Sequence, residues 1–221
     1  MKEFGILLNG ENKIGMITQE NINELNKLYK DATPSDIIKK AFELNKEAVV
    51  TTNFRPYEAA ILHAVSSLES KIPVVWCDTG YNTPQTYRHA ETVIKDLKLN
   101  VFLYVPKQTS AHRDIVMGIP GVDAPEHALF TEQVKLEPFK RAMEEHKPKV
   151  WFTNLRQGQT AFRDSIGVFS VSKDGVLKVS PFYYWSDADL DKYLEENKLP
   201  NEFKYFDPTK ALENRECGLH A

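Results

Sequence analysis

Short β-branched runs alternate with stretches of helical periodicity through most of this chain, and that alternation limits the fold more than any other feature. Ala48 to Thr52 forms a strand-like run, and Glu58 to Leu68 has helical spacing. Ile72 to Cys77 is a second apolar run, followed by a helical pattern from Pro84 to Leu97. Asn100 to Val105 reads as a third strand, Thr131 to His146 as a helix, and Lys149 to Thr153 as a fourth strand. Repeated βαβ units predict an α/β fold, a mostly parallel twisted sheet with helices on both faces. Two helical patterns precede the alternation between Gln19 and Leu44, the second opened by Thr33-Pro34-Ser35-Asp36 as a cap with proline in the first turn. Val168 to Val171 and Val176 to Val179 flank Lys173-Asp174-Gly175, a hairpin signal. Ser186 caps a final helix, Asp187 to Asn197; the chain is polar and irregular beyond Pro200.

The 221 residues suit one sizeable domain with small appendages. A net charge of −3 gives no general reason to expect nucleic-acid binding, although a local basic cluster can still hold a small anion. No apolar run approaches the roughly 20 residues needed to span a bilayer. Met1 to Asn12 lacks the layout of a signal peptide. Two cysteines make no disulfide framework, so the reducing cytoplasm is the default location.

Ligands of open parallel sheets bind beyond the carboxyl ends of the strands. Thr51-Thr52-Asn53-Phe54-Arg55 follows the first strand and leads into a helix, and hydroxyls and amides there suit an anion. Asp78-Thr79-Gly80-Tyr81 follows the second; its carboxylate can accept from a ribose hydroxyl or a base amine. Arg156 and Arg163, after the fourth, can clamp phosphate or sulfate oxygens. Cys217 is different: it lies in Arg215-Glu216-Cys217-Gly218-Leu219-His220, without the apolar neighbours of a core cysteine. Arg215 and His220 can favour its thiolate, and a nucleophile on a mobile tether can swing between a substrate and an external partner.

Together these residues resemble the phosphoadenosine phosphosulfate (PAPS) reductase family. The tail around Cys217 is similar to that family's C-terminal catalytic signature. Cys77 to Tyr87 resembles its Asp-Thr-Gly-Tyr segment, Lys135-Leu136-Glu137-Pro138 its Lys-Val-Glu-Pro stretch, and Trp151 to Arg163 its arginine-rich loop. The resemblance implies an adenine nucleotide alpha hydrolase-like, Rossmann-like fold. It implies a nucleotide-binding domain over 1–205, with N-terminal helices over 1–46, and a mobile catalytic tail over 206–221. The implied substrate site is Thr51, Thr52, Asn53, Arg55, Asp78, Thr79, Gly80, Lys135, Arg156, Gln159, Arg163 and Arg215, with Cys217 and His220 catalytic. Arg55 replaces the family's glycine after the first strand, and Gln157 and Gly158 replace an arginine and a glutamate.

Family members that reduce adenylyl sulfate commonly hold a four-iron cluster through four thiolates, and this chain has two cysteines. It resembles the cluster-free type, which binds no cofactor and takes electrons from thioredoxin or glutaredoxin. Cys77 reads as core filler, leaving Cys217 to attack the sulfonate sulfur of PAPS. A cluster-free adenylyl sulfate reductase, an adenylyl-transferring or pyrophosphate-cleaving relative, and a non-catalytic nucleotide- or thioredoxin-binding module are the competing readings. Family members are often homodimers.

Overall fold

The computed structural model describes residues 19–158, 160–161 and 163–210. Its centre is a six-stranded sheet in the order β3-β2-β1-β4-β6-β5. The strands are β1 Ala48–Thr52, β2 Pro73–Cys77, β3 Asn100–Tyr104, β4 Val150–Phe152, β5 Phe169–Val171 and β6 Leu177–Val179. All neighbours pair in parallel except β5 with β6, the predicted hairpin. The mostly parallel α/β architecture is therefore the one that the alternation predicts.

The helices are α1 Gln19–Leu28, α2 Pro34–Leu44, α3 Glu58–Ser66, α4 Pro84–Leu97, α5 Ser110–Val116, α6 His127–Thr131, α7 Glu137–His146 and α8 Asp187–Glu196. Local chemistry fixes several starts. Thr33, Thr83 and Ser186 each accept a backbone N–H of the first turn, and Ser186 forms a capping box with Asp189. One large core lies on one sheet face, where Ile38, Ala41, Ala60, Leu62, Ala90 and Leu190 from α2, α3, α4 and α8 meet Val50, Val74 and Phe152. On the other face, Ala142 of α7, flanked by Phe139 and Met143, packs with Val49, Val75, Tyr104 and Trp151.

Two differences from the expected elements bear on the site. The single helix expected over Thr131 to His146 is interrupted by a π-helical turn, Glu132–Leu136. That turn buries two consecutive side chains, Val134 and Lys135. The segment before it, expected as loop, contains α5.

The strands β1, β2 and β3 step outward to one edge, and the chain then returns to place β4 on the opposite side of β1. The topological switch point thus lies between β1 and β4, where open α/β sheets bind ligands. Trp151 Nε1 donates to Thr51 Oγ1 at 2.9 Å across this junction.

Candidate active site

A cavity of about 90 Å³ opens at the switch point. Thr51, Thr52, Asn53 and Arg55 come to it from the end of β1, Asn154 and Leu155 from the end of β4, and Lys135 from the π turn. Arg163, on a one-turn 3₁₀ helix, and Tyr205, Asp207 and Lys210, from the segment after Pro200, complete its polar wall. Four cationic side chains, Arg55, Lys135, Arg163 and Lys210, face it with two carboxylates, Glu58 and Asp207. The excess of cations suits an anionic ligand.

The loop after β1 is built around Glu58. Its Oε2 accepts from Thr52 Oγ1 and from the Asn53 amide, both at 2.8 Å, and its Oε1 accepts from Arg55 Nε at 2.8 Å. Phe54 and Tyr57 adopt left-handed backbone conformations, at φ 52° and 68°, to turn the chain into α3. Arg55 Nη2 also reaches the Asn154 carbonyl at 3.0 Å, so this arginine ties the two strand ends together across the crevice. The amide and hydroxyl of this loop are thus held by the protein's own carboxylate.

Lys135 is buried, and its ammonium donates to Asp207 Oδ2 and, at 3.3 Å, to Thr209 Oγ1. Burial alone would raise the Asp207 carboxyl. The Lys135 charge, with hydrogen bonds from Lys135 and Thr209, outweighs it and holds the group below its ordinary value. The segment 201–210 is strapped down elsewhere too: the Tyr57 amide donates to Asn201 Oδ1 at 2.8 Å, and Thr83 Oγ1 donates to the Lys204 carbonyl at 2.6 Å. Packed chain therefore continues to Lys210, past the 205/206 boundary expected for the tail.

Not all expected site residues reach the cavity. Asp78, read as an acceptor for a ligand, is filled from its own loop and from α4: its Oδ1 accepts from the Gly80 amide, Asn82 Nδ2 and Tyr87 Oη at 2.9 to 3.0 Å. That carboxylate shapes the Asp78-Thr79-Gly80 turn, with Gly80 at φ 80°, and Thr79 lines a smaller lobe beside Lys135. Arg156, expected as half of a phosphate clamp, is absent from the cavity wall. Its guanidinium pairs with Asp187 at 2.6 Å and lies over the Tyr57 ring at 5.3 Å. Gly158, standing where the family carries glutamate, has φ 81°, a conformation natural to glycine. Cys77 is buried, as core filler should be, and burial, opposed by Lys135, pushes its thiol up to about 12. It nonetheless also lines the cavity. Gln159, Arg215, Cys217 and His220 lie outside the described residues.

The sequence reading missed Glu58, Asn154, Tyr205, Asp207 and Lys210. Asp207-Pro208-Thr209 carries a usable signal, since an aspartate ahead of proline favours a turn; Thr209 N does donate to Asp207 Oδ1 at 3.0 Å.

A family model described as phosphoadenosine phosphosulfate reductase domain matches residues 47–206, a span that takes in every cavity-lining residue except Asp207 and Lys210. The chain belongs to the PAPS reductase family. A phosphoadenosine 5′-phosphosulfate reductase from Xylella fastidiosa is 33% identical over 157 residues, 68% of this chain and 64% of that protein. One from Photobacterium profundum is 30% identical over 202 residues, covering 80% of this chain and 79% of the relative. The crystal structure of the PAPS reductase from Candida auris, in a phosphate complex, superposes with a TM-score of 0.74 at 25% identity, over 84% of this chain and 89% of that one. The FMN adenylyltransferase of Candida glabrata shares the fold, at TM-score 0.57 and 13% identity over 84% of this chain and 60% of its own. Among the described residues, no helix is long and apolar enough to cross a membrane.

Proposed function

We propose that this PAPS reductase family member reduces 3′-phosphoadenylyl sulfate to sulfite and adenosine 3′,5′-bisphosphate, using Cys217 as nucleophile and an external dithiol, thioredoxin or glutaredoxin, as reductant. The observation that carries the reading is the cation-rich crevice at the β1–β4 switch point, in a chain whose relatives bear this reductase's name.

The Cys217 thiolate attacks the sulfonate sulfur, forming an S–S bond and breaking the bond from sulfur to the bridging phosphate oxygen. The electron pair leaves with the nucleotide, whose new phosphate charge is stabilised by Lys135 and Arg163, two cations that line the cavity. One thiolate of the dithiol then attacks Cys217 Sγ and expels sulfite; its second thiol resolves the mixed disulfide. The dithiol loses two electrons, and the sulfur passes from sulfate to sulfite. Arg215 and His220 favour the Cys217 thiolate.

Tyr205, Asp207 and Lys210 of the 201–210 segment line the crevice, and the Lys135–Asp207 pair is the contact that an incoming phosphate would replace. Cytoplasmic residence, where thioredoxin is reduced, fits this chemistry.

The test is sulfite release with reduced thioredoxin, from PAPS and from adenylyl sulfate in parallel. Wild type should turn over PAPS faster. Cys217→Ser should release no sulfite yet still bind adenosine 3′,5′-bisphosphate. Sulfite from that variant would remove Cys217 from the mechanism, and faster turnover of adenylyl sulfate would reassign the substrate.

A further inference from the structure

Asn154 stands at the first turn of chain beyond β4, on the β1–β4 crevice itself, and is 94% shielded from solvent, its exposure being 6%. Its position is tightly fixed. The preceding amide, Thr153 N, donates to the Val179 carbonyl at 2.9 Å, and the backbone carbonyl of Asn154 accepts from Arg55 Nη2 at 3.0 Å. Yet its side-chain Oδ1 is buried and finds no hydrogen-bond donor among the described residues. A buried amide carbonyl without a donor is costly, and native proteins keep few of them. Of the other groups on this wall, the Thr52 hydroxyl, the Asn53 backbone amide and the Arg55 guanidinium are taken up by Glu58, and the Lys135 ammonium by Asp207.

The chemistry of the orphan restricts what can satisfy it. A carbonyl oxygen accepts and cannot donate, so phosphate and sulfonate oxygens are repelled rather than bound by it. It needs an O–H or N–H donor, which an uncharged part of a ligand can supply. A 3′-phosphorylated adenosine nucleotide carries two such groups, the ribose 2′-hydroxyl and the adenine 6-amino group.

Resting on the reading of this crevice as a PAPS site, we infer that Asn154 is a substrate-contacting specificity residue whose side-chain carbonyl accepts a hydrogen bond from one of these two nucleoside donors. The cations of the wall hold the anionic end of the ligand, and Asn154 distinguishes the nucleoside end. Neither the strand-end motifs nor the arginine-loop resemblance singled out this position.

The test measures binding of adenosine 3′,5′-bisphosphate, its 2′-deoxy analogue and its 6-deamino analogue to the full chain by calorimetry. Wild type and Asn154→Leu, which keeps the shape and removes the carbonyl, are compared, with Asn154→Ala as a second variant should the leucine impair folding. Wild type should bind one analogue roughly ten- to a hundredfold more weakly than the parent, the range for leaving a buried acceptor unpaired. The variant should bind the parent that much more weakly and discriminate by less than about twofold. The analogue that shows the effect names the donor. Equal discrimination by wild type and variant, or none by wild type against either analogue, overturns the role of Asn154 while leaving the site reading intact. Failure of wild type to bind the parent nucleotide overturns both.

Discussion

Lys135 and Asp207 show how much a single side chain can hide from sequence. The lysine was legible through the Lys-Leu-Glu-Pro stretch, but its partner is 72 residues away, and nothing local announces a pairing over that distance. The same limit applies to the arginines. Their type pointed to an anion site, but only three-dimensional contacts reveal that Arg156 serves Asp187 and Tyr57, while Arg55 serves Glu58 and Asn154. Breaking a buried pair from one side leaves an uncompensated charge and costs about 3–5 kcal/mol. Asp207→Asn should therefore lower unfolding free energy in urea by about 3 kcal/mol at pH 7; a change under about 0.5 kcal/mol would show that the pair contributes little. The pH dependence has a definite sign. The folded-state carboxyl is depressed, so its contribution is present above the unfolded value near 3.9 and is lost as pH falls through the folded one. The gap between wild type and variant should close in acid and persist through neutral pH.

At the scale of elements, those that bury a periodic apolar face were readable, and those that do not were missed. α2 and α4 carry such faces, and α2 opens at the expected Thr33 cap; β1 and β2 were readable instead as short continuous apolar runs buried on both sides of the sheet. In α5 the single buried residue is Arg113, while Ile115 and Val116 are largely exposed, so no apolar stripe marks it as a helix. The π turn escaped for a related reason: one extra residue per turn shifts the face presented, and a pattern counted at 3.6 residues runs straight through it. Thr83 illustrates an element boundary with two duties, capping α4 and anchoring the strap through Lys204. Ser186 performs only the first of these for α8. Loss of a cap costs about 1 kcal/mol. Ser186→Ala should cost about that much by thermal unfolding, and Thr83→Ala should cost more and expose the 201–210 segment to limited proteolysis. Equal costs with unchanged cleavage would show that the Thr83–Lys204 bond does not hold the strap.

At the scale of the whole molecule, two imidazoles among the described residues tie stability to mild acid. Burial lowers the folded-state values of both His63 and His89, on α3 and α4. The unfolded chain binds protons near pH 6.5 while the folded chain resists them, so stability is greatest above that value and falls as pH drops through it. Urea midpoints measured from pH 7.5 to 5.5 should fall, and the decline should be shallower in His63→Gln. A flat profile would mean that neither ring is protected. The placement of the crevice between β1 and β4 also governs when it can exist. Its two sides, joined by the Trp151–Thr51 bond, are separated by 100 residues of chain. Closing so long a loop delays the contact that rewards it. During synthesis, β1, β2 and β3 emerge together with the hydroxyls of Thr51 and Thr52, but they form one bank of the crevice only. The opposite bank is made only after β4 and Asn154 leave the ribosome, and Arg163, Tyr205, Asp207 and Lys210 close the wall later still, so the crevice is among the last features of the fold to be completed.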